Sequence, residues 1–211
     1  PWPVMGDGDG ASIELIHPSL DNSLGASWRG SIPQAGLPEI TYLPMSSTGW
    51  SWRPGLTEAS NPTSAWRQQG FVEDGSWTGN VQTPLGYGTV NGITLNTTIS
   101  GMRNGYTCLF LRKTFTIAPG EVPSQLEIFS TSDDGFVMWI NGVEVERRRF
   151  AGDPAVGLFA SNQGNEGAFE TKNVLSTAAV PVAGLHTIPA QLPHPQGLHG
   201  GQGGIQAQGG Q

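Results

Sequence analysis

The 211-residue sequence predicts an all-β fold, a sandwich or jelly roll, and three observations carry that prediction. Its 31 glycines and 16 prolines stand against only 10 Lys and Arg and 17 Asp and Glu, which supplies many turns and few helix formers. Short apolar runs with a period of two recur between turn signals, whereas no helical period survives for about ten residues. Finally, Asn141-Gly142 separates two apolar runs. A type I′ turn needs positive φ at both central residues, and this dipeptide supplies it.

Taken in order, residues 1–38 hold one short apolar run, 13–16, followed by a polar stretch, too little to bury a core alone. Gly36-Leu37-Pro38 reads as a linker, because a residue before proline is biased to extended backbone. From Glu39 strand-like runs recur: 40–43, then the tryptophan-bearing segments 50–53 and 65–71, parted by Asn61-Pro62, then the glycine-flanked aromatic Tyr87. Residues 107–117 and 124–130 form the clearest strand pair. The second alternates Leu126 and Ile128 with Gln125 and Glu127, so that one face is buried and one wet. The run 136–140 is apolar on both faces and is expected at the centre of a covered sheet. Arg147-Arg148-Arg149 ends the strand after it, and 151–171 reads as a long glycine-rich loop. After Gly184 the pattern decays: Pro189, Pro193 and Pro195 are expected to exclude a central strand. The Gly/Gln tail is expected to be disordered. The divisions that follow are 1–38, 39–192 and 193–211.

The net charge of −7 excludes a nucleic-acid partner, since nothing neutralises a run of phosphates. No apolar stretch approaches the ~20 residues of a membrane helix. The opening Pro1-Trp2-Pro3 lacks a basic leader and suggests a piece of a longer chain. A single cysteine, Cys108, excludes an intrachain disulfide and, inside an apolar run, reads as a small buried hydrophobe.

Catalytic constellations are missing from the sequence. No G-x-S-x-G occurs, the acids are scattered, and His17, His186, His194 and His199 share no metal-ligand spacing. Candidate binding chemistry lies elsewhere. Asp133 and Asp134 adjoin on a turn and offer oxygens to a hard cation such as Ca²⁺; alternatively Asp133 caps the turn while Gly135 supplies the backbone freedom. Asp7 and Asp9 share that ambiguity. Tryptophan and tyrosine faces stack on the apolar C–H faces of sugars, which makes Trp77 and Tyr87 ligand candidates. Trp139, inside a strand, reads as core. Asn141 and Arg147 complete the candidate set, the arginine run either gripping a carboxylate or sulfate or guarding a sheet edge.

Several motifs recur in a fixed order. They are Trp50-Ser51-Trp52-Arg53-Pro54-Gly55, Trp66 through Gly75-Ser76-Trp77, Pro84-Leu85-Gly86-Tyr87-Gly88, Leu109 through Phe115, Asp133-Asp134-Gly135 and Asn141-Gly142-Val143-Glu144-Val145. This string resembles the galactose-binding-domain-like jelly rolls of large secreted bacterial proteins, in which planctomycetes are rich, including those attached to glycoside hydrolases. The Asp-Asp-Gly to Asn-Gly hairpin is similar to that of PA14-type domains, some of which hold sugar through Ca²⁺ on adjacent aspartates. Upstream, Gly8-Asp9-Gly10, residues 12–16, Leu20-Asp21-Asn22 and Ser27-Trp28-Arg29 resemble the end of a lamin-tail domain, which implies a partial Ig-like remnant. The family's closing strand persists here only as Gly184, Ile188 and Gln191. The resemblance implies a non-catalytic carbohydrate-binding or surface-attachment module of a larger extracellular protein. Its partners would be a polysaccharide or glycan and neighbouring domains of the parent chain. The alternatives are a structural spacer and an accessory domain of a polysaccharide-degrading enzyme.

Overall fold

The computed structural model describes residues 13–15, 17, 20–30, 40–89, 92–102, 105–123, 125–132, 134–162, 170–174, 183–193 and 202–210. The chain divides into two compact units, Pro1–Pro38 and Glu39–Gln211. In the first, β1 (Ile13–Leu15) pairs antiparallel with β2 (Trp28–Gly30). A 3-10 turn precedes β2, and the Trp28 indole N–H is donated to the Asn22 carbonyl at 2.9 Å. Of the expected Ig-like remnant, the described residues show this strand pair and the turn before β2, where Ser27 is buried.

The second unit is an all-β sandwich of two six-stranded sheets. Its strands are β3 (Ile40–Leu43), β4 (Trp50–Pro54), β5 (Thr78–Val81), β6 (Leu85–Gly86), β7 (Thr97–Thr98), β8 (Cys108–Ile117), β9 (Gln125–Ser132), β10 (Phe136–Ile140), β11 (Val143–Arg148), β12 (Glu170–Val174), β13 (Gly184–Pro193) and β14 (Gln202–Gly210). The first sheet runs β11-β10-β13-β8-β4-β5 and the second β12-β9-β14-β6-β7, with β3 also on β14.

Period-two alternation decides what each face buries. From the first sheet Leu109, Leu111, Phe115 and Ile117 of β8, Phe136, Met138 and Ile140 of β10, and Ile188, Ala190 and Leu192 of β13 point inward. They meet Leu43, Leu85, Leu126 and Ile128 of the second sheet. The intervening positions, Cys108, Phe110, Val137 and Trp139, are apolar too and face away from the sandwich. An excursion between β4 and β5 covers them with Ala59, Trp66 and Trp77, joined by Phe150. The Trp66 ring meets Phe110 edge-on at 5.0 Å and Trp139 at 5.6 Å. Double-sided burial of 136–140 is therefore as the sequence predicts.

Two arginines hold the excursion down. Arg53, ending β4, donates to Thr57 at its start and to Ser76 at its end. Arg112, from β8, donates to the Gln68 carbonyl at 3.0 Å and to Glu73 at 2.9 Å. Residues 65–67 form a 3-10 turn rather than the strand expected there. The Ser60 hydroxyl accepts the Trp66 N–H, and the turn points that indole into the second cluster.

The chain after Gly184 departs furthest from expectation. Strand β13 is central, paired with β8 over its whole length and with β10 at Gln191 and Ala190. Antiparallel backbones alternate the side to which they offer N–H groups. Asn141 donates its backbone N–H to the Thr187 carbonyl, so odd-numbered β13 residues face β10. Pro189 and Pro193 share that parity, and their missing N–H groups leave the β8 ladder intact. The β10–β11 pairing shifts register between Met138 and Trp139, and on the β13 side of β10 the pairing stops short of Pro189. It resumes through Asn141, whose Oδ1 accepts the Thr187 N–H at 2.9 Å. Within the stretch after Pro193, Gln202–Gly210 form strand β14, whose backbone pairs with β9 from Gly203 to Gly210 and with β3 and β6. Strand pairing uses backbone donors and acceptors, which a Gly/Gln run supplies without any alternation in its sequence.

Truncating Trp66 to Ala removes the centre of the second cluster and is expected to cost about 3–5 kcal/mol in denaturant unfolding. At Asn141 two substitutions separate the turn from the ladder repair. Asn141→Gly keeps the positive φ of 50° available while losing the side-chain bonds, for an expected loss of about 1–2 kcal/mol. Asn141→Ala adds left-handed strain and is expected to cost about 1 kcal/mol more, read from paired urea curves.

Candidate functional site

The residues nominated from sequence do not gather at one place. Trp77 is 9% exposed and packs in the outer cluster, 6.2 Å from Phe71 and 6.3 Å from Trp66. Tyr87 is half-buried against the cluster inside the sandwich, across the first sheet from Trp77. The two rings therefore form no common platform. Asn141 occupies the hairpin turn with φ of 50°, followed by Gly142 at 83°, as a type I′ turn requires. Its side-chain amide is committed internally: Oδ1 accepts from Thr187, which turns Nδ2 towards His186 Nδ1 at 2.9 Å. An amide nitrogen only donates, so Nδ1 is the acceptor and the His186 proton sits on Nε2.

Asp133 lies outside the described residues, as do Asp7, Asp9, His194 and His199. Asp134 is 4% exposed, at the turn leading into β10. Its carbonyl oxygen accepts from Arg149 Nε at 3.0 Å and Nη2 at 2.8 Å, and from the Ser132 hydroxyl at 2.7 Å. Arg149 holds positive φ of 48° to make this reach. The close fit continues at Gly135, where a Cβ would stand 2.8 Å from the carbonyl oxygens of both Arg148 and Arg149. Among the described residues no three His, Cys, Asp or Glu side chains gather to hold a metal ion. The described part of the turn is organised around the Arg149 guanidinium on the Asp134 carbonyl.

The arginine run stands on β11, an edge strand. Arg147 forms a fork with Glu144, Nε to Oε1 at 2.8 Å and Nη2 to Oε2 at 2.7 Å, and lies over the Phe150 ring. Arg148 pairs with the buried Glu146 at 3.2 Å. The three successive side chains are therefore braced within the chain.

The outer face next to this edge holds a group that the sequence does not advertise. Arg67, on the 3-10 turn of the excursion, lies with its guanidinium carbon 4.1 Å from the centre of the Trp139 ring. Its Nε is buried without a hydrogen-bond partner among the described residues. Burial pulls this guanidinium below its ordinary pKa, while the carboxylates of Asp153, Glu144 and Glu58 pull it up and Arg147 opposes them. Glu58 is anchored by the Val156 N–H at 2.7 Å, and Arg147 donates to the Gly152 carbonyl beside Asp153. Arginine, carboxylates and an aromatic ring thus come together from the excursion, from β10–β11 and from the loop after β11. Arg67 and Trp139 carry no spacing signal in the sequence, because only the packing of two separate segments makes them neighbours.

No family model matches the chain, and no curated protein matches it. Among solved structures it is similar to a beta-glucuronidase of an uncultured Clostridium species, at 12% identity and TM-score 0.49, over 84% of this chain and 30% of that one. It is also similar to a calcium-binding mutant of Bacteroides uniformis beta-glucuronidase 2, at 13% identity and TM-score 0.49, over 81% and 18% of the two chains. A glycosyl hydrolase family 2 member from Bacteroides cellulosilyticus matches at 12% identity and TM-score 0.48, over 82% and 21%. The chain thus spans less than a third of the length of each of these proteins.

Proposed function

We propose that this chain is a non-catalytic module of a larger extracellular protein and that it binds carbohydrate or attaches its parent to a cell surface. The observation that carries the reading is the outer-face group of Arg67, Trp139, Glu144, Arg147 and Asp153. Sugars present vicinal hydroxyls that both donate and accept, and a surface mixing guanidinium donors with carboxylate acceptors beside aromatic rings suits them. The one thiol offers no nucleophile: Cys108 is fully buried in β8, and burial pushes it up to about 12. A thiol held protonated is a poor nucleophile.

A second reading, a structural spacer, is favoured by the tryptophans. Trp50, Trp66, Trp77 and Trp139 are buried, and Trp28 and Trp52 are half-buried. These rings serve packing.

Affinity electrophoresis of the full chain through gels carrying galactan, xylan, β-glucan or polygalacturonate, in calcium and in chelator, decides between the two. Retardation by a polysaccharide is the expected result; free migration in every gel would leave the spacer reading. For Cys108, the native chain is expected to resist an aromatic disulfide reagent at about pH 8 and to react on unfolding. The folded chain keeps this proton above the ordinary thiol value of 9.0, where the unfolded chain loses it. Stability is therefore full below pH 9.0 and declines as pH rises towards about 12, a decline that Cys108→Ala should reduce. Tyr106, pushed by burial from 10.0 to about 12, adds to the decline and keeps it from vanishing in that variant.

A further inference from the structure

The dipeptide that makes the hairpin turn is also chemically labile. Asparagine is heat-sensitive, and glycine after it leaves the next backbone nitrogen unshielded by a side chain. In deamidation the Gly142 nitrogen bonds to Asn141 Cγ, the Cγ–Nδ2 bond breaks, and ammonia leaves with the proton of the Gly142 N–H. Water then opens the five-membered imide at either carbonyl, giving aspartate or isoaspartate. The isoaspartate product runs the backbone through the former side chain and adds a carbon to the two-residue turn.

The closed hairpin withholds the geometry this needs. Reacting atoms have to approach within about 3–3.5 Å, which requires the Gly142 nitrogen and Asn141 Cβ on the same side of the Cα–C bond. With φ of 50° in a type I′ turn, the two stand nearly opposite each other across that bond. Ring closure therefore means turning Asn141 out of the left-handed region, and three hydrogen bonds resist that rotation. Its backbone N–H is donated to the Thr187 carbonyl at 2.9 Å, its Oδ1 accepts the Thr187 N–H at 2.9 Å, and its Nδ2 is donated to His186 Nδ1 at 2.9 Å. Gly142 is closed in as well. A Cβ there would stand 2.8 Å from Gln68 Cδ, so the excursion lies against the peptide that has to turn.

We propose that Asn141 is a latent deamidation site, held closed by its bonds to His186 and Thr187, and that modification there marks chains whose hairpin has parted from β13. The rate then follows the population of the locally opened hairpin rather than that of the globally unfolded chain. The mark persists, because a turn lengthened by isoaspartate no longer matches the pairing of Ile140 with Val143.

The test holds the full chain, native and guanidinium-unfolded, in mildly alkaline buffer and follows isoaspartate in the peptide that carries residue 141. Asn91 and Asn104 also precede glycine, so the product is assigned by peptide and not by whole-chain mass. Modification at Asn141 is expected to be about tenfold or more slower in the native chain, and His186→Ala to raise the native rate about threefold or more. Ile128→Val trims the core from the second sheet, leaves the amide's partners in place, and is expected to keep the parent's rate. Equal rates in native and unfolded chains, or no isoaspartate at residue 141 in either, would overturn the proposal. An equal rise in both variants would assign the protection to the stability of the whole unit and overturn the part given to His186 and Thr187. Should His186→Ala unfold, hydrogen exchange at the Thr187 amide of the parent chain in low denaturant decides. Modification is expected to rise in step with that exchange, and modification while the amide stays protected would overturn the gating.

Discussion

Strands β8 and β10 are apolar on both faces, and the architecture of the second unit follows from the need to cover both. Leu109, Leu111, Met138 and Ile140 are covered by the second sheet, as in any sandwich. Cys108, Phe110, Val137 and Trp139 would face water if the sandwich were all there was. The excursion between β4 and β5 supplies the missing layer. Its contribution is hydrophobic burial by Trp66 and Trp77, while Arg53 and Arg112 fix where it lies. Arg112 is not a surface ion pair of the kind that contributes little. Arg112 is itself buried, and its donors satisfy a backbone carbonyl and Glu73 in a place water does not reach freely.

Arginine acts elsewhere in the fold as an internal brace. Arg149 holds the turn before β10 by its carbonyl, and Arg147 closes on Glu144 along the edge strand. These uses consume the groups that a sequence reader assigns to ligands. A bidentate guanidinium recognises a carbonyl or carboxylate of its own chain as readily as one on a ligand. Arg67 differs in being held by an aromatic face, with its guanidinium carbon 4.1 Å from the centre of the Trp139 ring.

Asn141 shows how local and long-range demands meet at one residue. Its backbone makes the hairpin turn, a role set by the dipeptide alone. Its side chain stands in for a ladder bond to Thr187 next to the gap at Pro189. That second role depends on β13 lying beside the hairpin, a neighbour distant in sequence.

The all-β class, the type I′ turn at Asn141-Gly142, the two-faced burial of residues 136–140 and the burial of Cys108 were determined by the sequence itself. Each depends on short-range physics: turn chemistry, period two, or an unbroken apolar run. Proline parity in β13 was not legible, because whether a missing N–H matters depends on which neighbour that position faces. Nor was β14, whose pairing is carried by backbone groups that every residue but proline shares. The candidate site was the least legible. Arg147 closes on Glu144 along the edge strand, and Trp77 and Tyr87 were placed on opposite faces of one sheet. Arg67 and Trp139 became neighbours only through tertiary packing, because an excursion and a strand far apart in the chain had to fold over the same apolar surface.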